Sequence, residues 1–111
     1  IVETTEGVAV GAVDLYQLDP RNRRAGVGVA IAPGHRQAGH AKAGLQLLVD
    51  YATEHLGLHQ LWAEIPAVND PSLRLFEGAG FAKGGRFNDW IRHDQGWKDA
   101  IWVQRISTHH E

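Results

Sequence analysis

The chain has 111 residues, which is enough for one modest domain with a single core. Its net charge is −2, with acidic and basic residues mixed, so no strong field favours nucleic acid or a membrane as partner. Cysteine is absent, which excludes a disulfide framework, a thiolate metal site and a cysteine nucleophile. No apolar run approaches the roughly 20 residues that span a bilayer. We expect a cytoplasmic protein.

Three strands are predicted before the first helix. Residues 1–4 have the pattern of a strand already under way, and the chain contains no Met, so we expect a domain truncated at its amino terminus. Residues 8–18 form the second strand, where the apolar alternation changes phase near Gly11 and predicts a bulge. The third strand covers residues 27–32 and stops at Pro33.

The first helix is predicted over residues 39–56, where apolar residues recur at spacings of three and four. Gly57 is expected to cap its carboxyl end. One apolar stripe should face the core: Ala41, Leu45, Leu48, Val49, Ala52 and Leu56.

The second half of the chain is predicted to contain one more helix and three more strands. Asp70 is expected to cap a helix that has Pro71 at its first position and ends at Gly80. Residues 90–97 are expected to connect the last two strands. The strands are predicted over residues 59–66, 81–87 and 98–106. The order β-β-β-α-β-α-β-β predicts a single α/β domain, residues 1–111, with a mixed sheet.

The junction between the third strand and the first helix is the most informative stretch. Gly39 opens the helix, and the first N–H groups of a helix have no intrahelical partner and carry partial positive charge. Small residues at Ala38 and Ala41 let an anion approach the backbone. Further donors lie nearby at His35, Arg36 and Lys42. The junction therefore predicts a phosphate or pyrophosphate site.

Two nucleotide motifs do not fit this junction. Gly34 and Gly39 have the spacing of a P-loop, but the lysine and the hydroxyl that should follow are absent. Gly26 and Gly28 lie before or inside the strand without the third glycine of a dinucleotide fingerprint. If this junction is considered alone, an ordinary strand-to-helix loop, in which the glycine only allows the backbone conformation, remains an alternative of equal weight.

Two segments together resemble one known family. Residues 36–41, Arg-Gln-Ala-Gly-His-Ala, match the pattern Gln/Arg-x-x-Gly-x-Gly/Ala, and residues 69–81 match Asn-x-x-Ser/Ala-x-x-Leu-Tyr/Phe-Glu-x-x-Gly-Phe. In this order the two segments are similar to the cofactor-binding segments of the GNAT superfamily of N-acetyltransferases, in particular its polyamine and ribosomal-protein branches. The resemblance implies a GNAT-like mixed sheet that lacks the family's first strand and two helices.

The resemblance implies acetyl-CoA as cosubstrate, no metal, and a cleft between splayed strands at residues 27–32 and 61–66. A backbone N–H near residues 29–32 would polarise the thioester carbonyl. Glu64 would be the general base, with a solvent-facing strand glutamate as the alternative of equal weight. The implied cofactor-binding residues are Val29, Ile31, Arg36, Gln37, Ala38, Gly39, His40, Ala41, Lys42, Asn69, Ser72 and Phe76.

Several of these residues have a structural alternative. Asn69 and Ser72 can cap a helix rather than touch the cofactor, and Phe76 can belong to the core. Many family members have a Tyr as general acid where this chain has Phe76, so the group that protonates the thiolate is open. Trp90, Trp97 and Trp102 can line a pocket for a cation, although covering the sheet or a subunit contact is favoured. None of the seven His has convincing zinc spacing.

The resulting hypothesis is an N-acetyltransferase that moves the acetyl group to a primary amine, a polyamine or a protein N-terminus, by direct attack in a ternary complex. The alternative is a non-catalytic acyl-CoA-binding module or an inactive fragment of such an enzyme. Unpaired strand edges make a homo-oligomer plausible. No nucleic acid or membrane partner is expected.

Overall fold

A computed structural model describes residues 2–3, 9–31 and 40–107 of the chain. The order of its elements is the predicted β-β-β-α-β-α-β-β. In chain order they are β1 Val2–Glu3, β2 Ala9–Asp19, β3 Arg24–Ile31, α1 His40–Glu54, β4 Gln60–Pro66, α2 Asp70–Gly78, β5 Ala82–His93 and β6 Gly96–Ile106.

The six strands form one mixed sheet in the order β1-β2-β3-β4-β6-β5. β3 and β4 are parallel, and the other neighbouring pairs are antiparallel. This pattern follows from the connections, because short turns join antiparallel strands whereas a helix is needed to bring the chain back parallel. The predicted mixed sheet is confirmed.

Both helices pack on one face of the sheet. The core joins Leu45 and Val49 of α1 and Phe76 of α2 to alternate residues of the central strands. On β4 the buried residues are Leu61, Ala63 and Ile65, while the residues between them point to the opposite side. We call that opposite side of the sheet the open face.

The irregularities of β2 agree with the predicted bulge and add another. Val2 pairs with Gly11 and Glu3 with Ala9, so β2 has one extra residue across from β1, as the phase change near Gly11 predicted. A second irregularity lies between Tyr16 and Asp19.

The prediction for residues 90–97 is wrong. Strand β5 continues to His93 and pairs with β6 up to Gly96, so a two-residue turn at residues 94–95 joins the strands. A bulge between Phe87 and Ile91 interrupts the alternation, after which the pairing resumes. The predicted end of the strand at residue 87 therefore coincides with a bulge rather than with the end of β5.

The helix ends were predicted with one error at each helix. Asn69, not Asp70, is the N-cap of α2, and its side chain accepts a hydrogen bond from the Ser72 N–H. Gly57, three residues after the end of α1, has a φ of +66°, the left-handed conformation typical of a glycine cap. Leu56 is exposed rather than part of the core stripe, because α1 already ends at Glu54.

Candidate functional site

A cleft opens where the two parallel strands separate. Their ladder joins residues 24–26 of β3 to residues 60–62 of β4, and in the described part of both strands no further pair follows. β3 nevertheless continues to Ile31 and β4 to Pro66. The edges of residues 27–31 and 63–66 therefore face each other without sheet hydrogen bonds, as expected for a splayed pair. We call this gap the cleft.

The predicted phosphate loop falls mostly outside the described residues. Arg36, Gln37, Ala38 and Gly39 are not among them. His40 is the first residue of α1, followed by half-buried Ala41 and exposed Lys42. The described structure thus places the start of a helix after the loop, and the role of the loop stays a prediction.

Glu64 lies on β4 with its side chain on the open face. Its neighbours along the strand, Ala63 and Ile65, are buried under the helices, whereas Glu64 is exposed. It is one of the four β4 residues beyond the last pair with β3, so it stands beside the cleft. The indole N–H of Trp90 donates a hydrogen bond to Glu64 Oε1 at 2.9 Å.

Five aromatic side chains surround this position on the open face. Trp62 stacks on Trp102 with centroids 4.7 Å apart, and Tyr16 meets Trp62 edge-on at 5.3 Å. Phe87 contacts Trp102 at 5.4 Å and Trp90 at 4.7 Å. The five rings form a continuous cluster, which we call the aromatic cluster.

Gly26 is what lets two of these rings lie against the sheet. A Cβ at Gly26 would lie 2.7 Å from the Tyr16 ring and 2.9 Å from the Trp62 ring, distances that ordinary packing does not allow. Burial raises the pKa of Tyr16, and the negative charges of Glu64 and Asp14 raise it further. The phenol therefore stays protonated near two carboxylates.

A groove of about 770 Å³ borders the aromatic cluster. It meets the cluster at Trp62, Phe87 and Trp102 and extends toward Asp19 and Arg24, which form a 3.5 Å ion pair. Glu64 does not line the groove. We therefore place the candidate chemistry beside the cleft and treat the groove as an adjoining surface.

In the second predicted cofactor segment, residues 69–81, Asn69 caps a helix and Phe76 packs in the core. Asn69 caps α2 through its side-chain oxygen, and the bond goes to the backbone of Ser72. Phe76 is 3% exposed and packs edge-on against Phe81 at 5.0 Å. The capping and core alternatives are confirmed for Asn69 and Phe76, while contacts of these residues with a cofactor stay predictions.

Sequence reasoning missed the acidic and aromatic residues that β2 contributes. Asp14 and Tyr16 pair with Gly28 and Gly26 on the open face, in the opposite phase from Val13 and Leu15. The alternation of β2 carried this signal, but its apolar phase was interpreted only as packing. The contact from Trp90 to Glu64 had no signal, because it crosses β6 and depends on the bulge in β5.

The described residues contain neither a group of metal ligands nor a membrane-spanning helix. Among residues 2–3, 9–31 and 40–107, no three His, Asp or Glu side chains are grouped in a way that could hold a metal ion. In the same ranges neither helix is long and apolar enough to cross a membrane.

Comparison with known proteins identifies the family. The acetyltransferase (GNAT) domain profile matches residues 1–82, about three quarters of the chain. This chain belongs to the GNAT acetyltransferase family. The family is one of acetyl-CoA-dependent acyltransferases, so the predicted resemblance is confirmed.

The similar proteins are N-acetyltransferases by name. An uncharacterized N-acetyltransferase p20 of Bacillus licheniformis is 31% identical over 90 residues, which cover 81% of this chain and 50% of that protein. A spermidine N(1)-acetyltransferase of Vibrio cholerae is 28% identical over 85 residues, 77% of this chain and 49% of that protein. The chain therefore spans about half the length of these curated relatives.

Solved structures confirm the fold. A F149A mutant of the V. cholerae spermidine N-acetyltransferase superposes with a TM-score of 0.89 at 24% identity, covering 95% of this chain and 62% of that one. A chimera of the V. cholerae spermidine N-acetyltransferase and hSSAT gives 0.90 at 24% identity, with coverages of 96% and 66%. These values establish a GNAT fold for the described chain.

Proposed function

We propose that this chain is the acetyl-CoA-binding and catalytic core of an N-acetyltransferase that acts on a primary amine. Membership of the family gives the reaction class. The observation that carries the assignment to this chain is Glu64, a carboxylate on the open face beside the cleft. It is the described group that combines proton-accepting chemistry with a place at the separated strands.

The cleft suits the cosubstrate. Acetyl-CoA supplies the activated acetyl group and carries a pantetheine arm with two amides. Backbone N–H and C=O groups need partners, and the facing edges of residues 27–31 and 63–66 are not paired with each other. Those edges would hold the amides, with Val29 and Ile31 on the β3 side. The pyrophosphate would lie at residues 37–42, where the first N–H groups of α1 are available.

Glu64 would remove the proton that blocks attack. An ammonium has no lone pair, so it must first transfer a proton to the Glu64 carboxylate. The amine nitrogen then bonds to the thioester carbonyl carbon, and the carbon–sulfur bond breaks. The electron pair of that bond leaves with sulfur. The attacking nitrogen still carries one surplus proton, which it loses to solvent, and the thiolate takes a proton from solvent. Phe76 has no proton to donate and is buried, so it has no part in this last step.

The surroundings of Glu64 favour a cationic acceptor. Glu64 and Asp14 bring two carboxylates close to Tyr16, and the faces of Trp62 and Trp102 add negative potential. Similar proteins named spermidine N(1)-acetyltransferases make a polyamine the first acceptor to test and a protein N-terminus the second.

A non-catalytic acyl-CoA-binding module is the second candidate. It is favoured by Phe76, since a hydroxyl is missing where many family members carry a Tyr. It predicts cofactor binding without turnover.

We also propose that the protein is cytoplasmic and forms a homo-oligomer. The oligomer is supported by a V. cholerae spermidine N-acetyltransferase that is described as dodecameric, and by the two edge strands of the sheet, β1 and β5.

The test is acetyl transfer to spermidine and to a peptide N-terminus by the wild-type chain and by Glu64→Gln, with CoA affinity measured by calorimetry. We expect Glu64→Gln to lower kcat at neutral pH by about 10²-fold or more while CoA affinity is unchanged. Wild-type kcat in Glu64→Gln over the whole pH range would remove Glu64 as the base. Binding of CoA with no acceptor turned over would favour the non-catalytic module.

A further inference from the structure

Trp90 reaches Glu64 across an intervening strand. Trp90 lies on β5 and Glu64 on β4, and β6 separates them in the sheet. The indole Nε1–H donates to Glu64 Oε1 at 2.9 Å, a distance typical of a well-formed hydrogen bond. A second indole, that of Trp102, lies opposite Glu64 in the strand register, but its buried Nε1 has no partner in the described structure. The contact with Glu64 is therefore specific to Trp90.

The backbone next to Trp90 is shaped to make this contact. Asp89 has a φ of +51°, a left-handed conformation that Asp adopts more readily than most other residues with a side chain. It lies in the bulge between Phe87 and Ile91, and such bulges redirect side chains and recur next to active sites.

Asp99 of β6 stabilises this bulge from the facing strand. Its Oδ1 accepts a hydrogen bond from the Asp89 backbone N–H at 2.9 Å. Its Oδ2 accepts from Arg86 Nε at 3.0 Å and Nη2 at 2.6 Å. The Asp99 carboxylate thus accepts hydrogen bonds from the Arg86 side chain before Phe87 and from the Asp89 backbone after it.

The ring of Trp90 is also held on its apolar side. Phe87 meets it edge-on, with centroids 4.7 Å apart and planes at 89°. Trp90 is nevertheless 49% exposed, so burial alone does not explain where the ring lies. The Asp99 contacts, the bulge and the Phe87 contact together direct the indole N–H toward Glu64.

We propose that Trp90 is a positioning residue that orients the Glu64 carboxylate for proton removal from the acceptor amine. This role rests on the proposed function, in which Glu64 is the base. An exposed glutamate samples several rotamers, and fixing one of them spends entropy before the reaction rather than during it. Trp90 occupies Oε1, so Oε2 is the oxygen that accepts the proton.

The contact itself can be tested without turnover. In a ¹H–¹⁵N spectrum of the chain, Glu64→Gln should shift the Trp90 indole resonance, assigned by its loss in Trp90→Phe, more than the other three. Trp97, exposed at the β5–β6 turn, is the internal control. An unchanged Trp90 indole resonance would overturn the proposal at its structural step.

The functional test compares Trp90→Phe with the matched control Trp97→Phe. Trp90→Phe keeps an aromatic ring and loses only the donor, so we expect kcat/KM to fall by about tenfold, as for loss of a hydrogen bond to a charged group. The loss should fall on kcat and leave the KM for the amine nearly unchanged, whereas Trp97→Phe should retain wild-type kinetics. A purely structural role for Trp90 would not confine the loss to kcat.

The double variant separates this proposal from the proposed function. If Trp90 acts through Glu64, Trp90→Phe should have no further effect on kcat/KM in a Glu64→Gln background. Two outcomes would overturn the positioning role of Trp90 while Glu64 remains the base. One is an equal loss of kcat/KM from Trp90→Phe in both backgrounds; the other is wild-type kinetics for Trp90→Phe while Glu64→Gln is slow. Wild-type turnover in Glu64→Gln would overturn the base, and with it the role of Trp90.

Discussion

The two faces of the sheet use the same strands for different purposes. On β4, Leu61, Ala63 and Ile65 are at most 3% exposed under the helices, while Glu64 points to the open face. Alternation along one strand therefore places packing and candidate chemistry one residue apart. A substitution on the helix-covered face should therefore lower the free energy of unfolding, whereas a substitution on the open face should change the rate of acetyl transfer.

The largest expected effect on stability comes from the helix-covered face. Leu61→Ala removes a side chain that is 1% exposed and leaves a cavity, so it should lower the free energy of unfolding by about 2–5 kcal/mol. Glu64→Ala, three residues along β4, should change it by about 0.5 kcal/mol or less. Denaturant titration of both variants checks this difference. Equal losses would break the division between the two faces.

The next effect concerns the cap of α2, at the end of the cleft strand. Asn69→Ala removes the acceptor for the Ser72 N–H and should cost about 1 kcal/mol of unfolding free energy. Asn69→Ser keeps a capping oxygen and should retain nearly all of the stability. If Asn69→Ser is stable but binds CoA less tightly by calorimetry, the amide contacts the cofactor as well. Equal destabilisation by both changes would contradict the capping role.

The smallest effect is a dependence of stability on pH. The Asp89 backbone N–H and the Arg86 guanidinium hold the pKa of Asp99 below its usual value of 3.8. Stabilisation by this carboxylate is therefore complete above its usual pKa and is lost as pH falls through the lower folded-state value. Unfolding free energies between about pH 5 and about pH 2 should fall less steeply in Asp99→Asn.

Asp94→Asn, in the turn between β5 and β6, is the control for this measurement. It removes a carboxylate outside the Asp99 network and should leave the slope closer to wild type. The same slope for wild type and Asp99→Asn would show that the network does not stabilise the bulge.

The sequence predicted the elements of the fold better than it predicted the contacts of the site. Helix α1 could be predicted from local signals alone, because helix periodicity and capping involve residues close along the chain. These signals are the spacing of Leu45, Val49 and Ala52 and the glycine at position 57. Glu64 became a candidate through the family resemblance, because its place on the strand five residues before Asn69 matches a carboxylate of that family. These features depend on neighbours along the chain.

The contacts around Glu64 were not predictable in the same way. Trp90 reaches Glu64 only through strand order and a bulge, and Asp99 stabilises that bulge from another strand. Residues 90–97 were predicted as a connection, whereas the pairing of β5 with β6 resumes after the bulge. Pairing across strands is non-local, so hydrophobic periodicity carries little information about it.

We propose that the separated edges of β3 and β4 bind acetyl-CoA beside Glu64. The most direct measurement is a backbone amide NMR titration of the chain with CoA, with Gly39→Val as a variant that blocks backbone approach at the predicted phosphate loop. We predict saturable shifts at residues 27–31 and 63–66, small shifts at the turn of residues 94–95, and none of these in Gly39→Val. Absence of saturable shifts in the wild type, or shifts confined to the β5–β6 hairpin, would contradict the account.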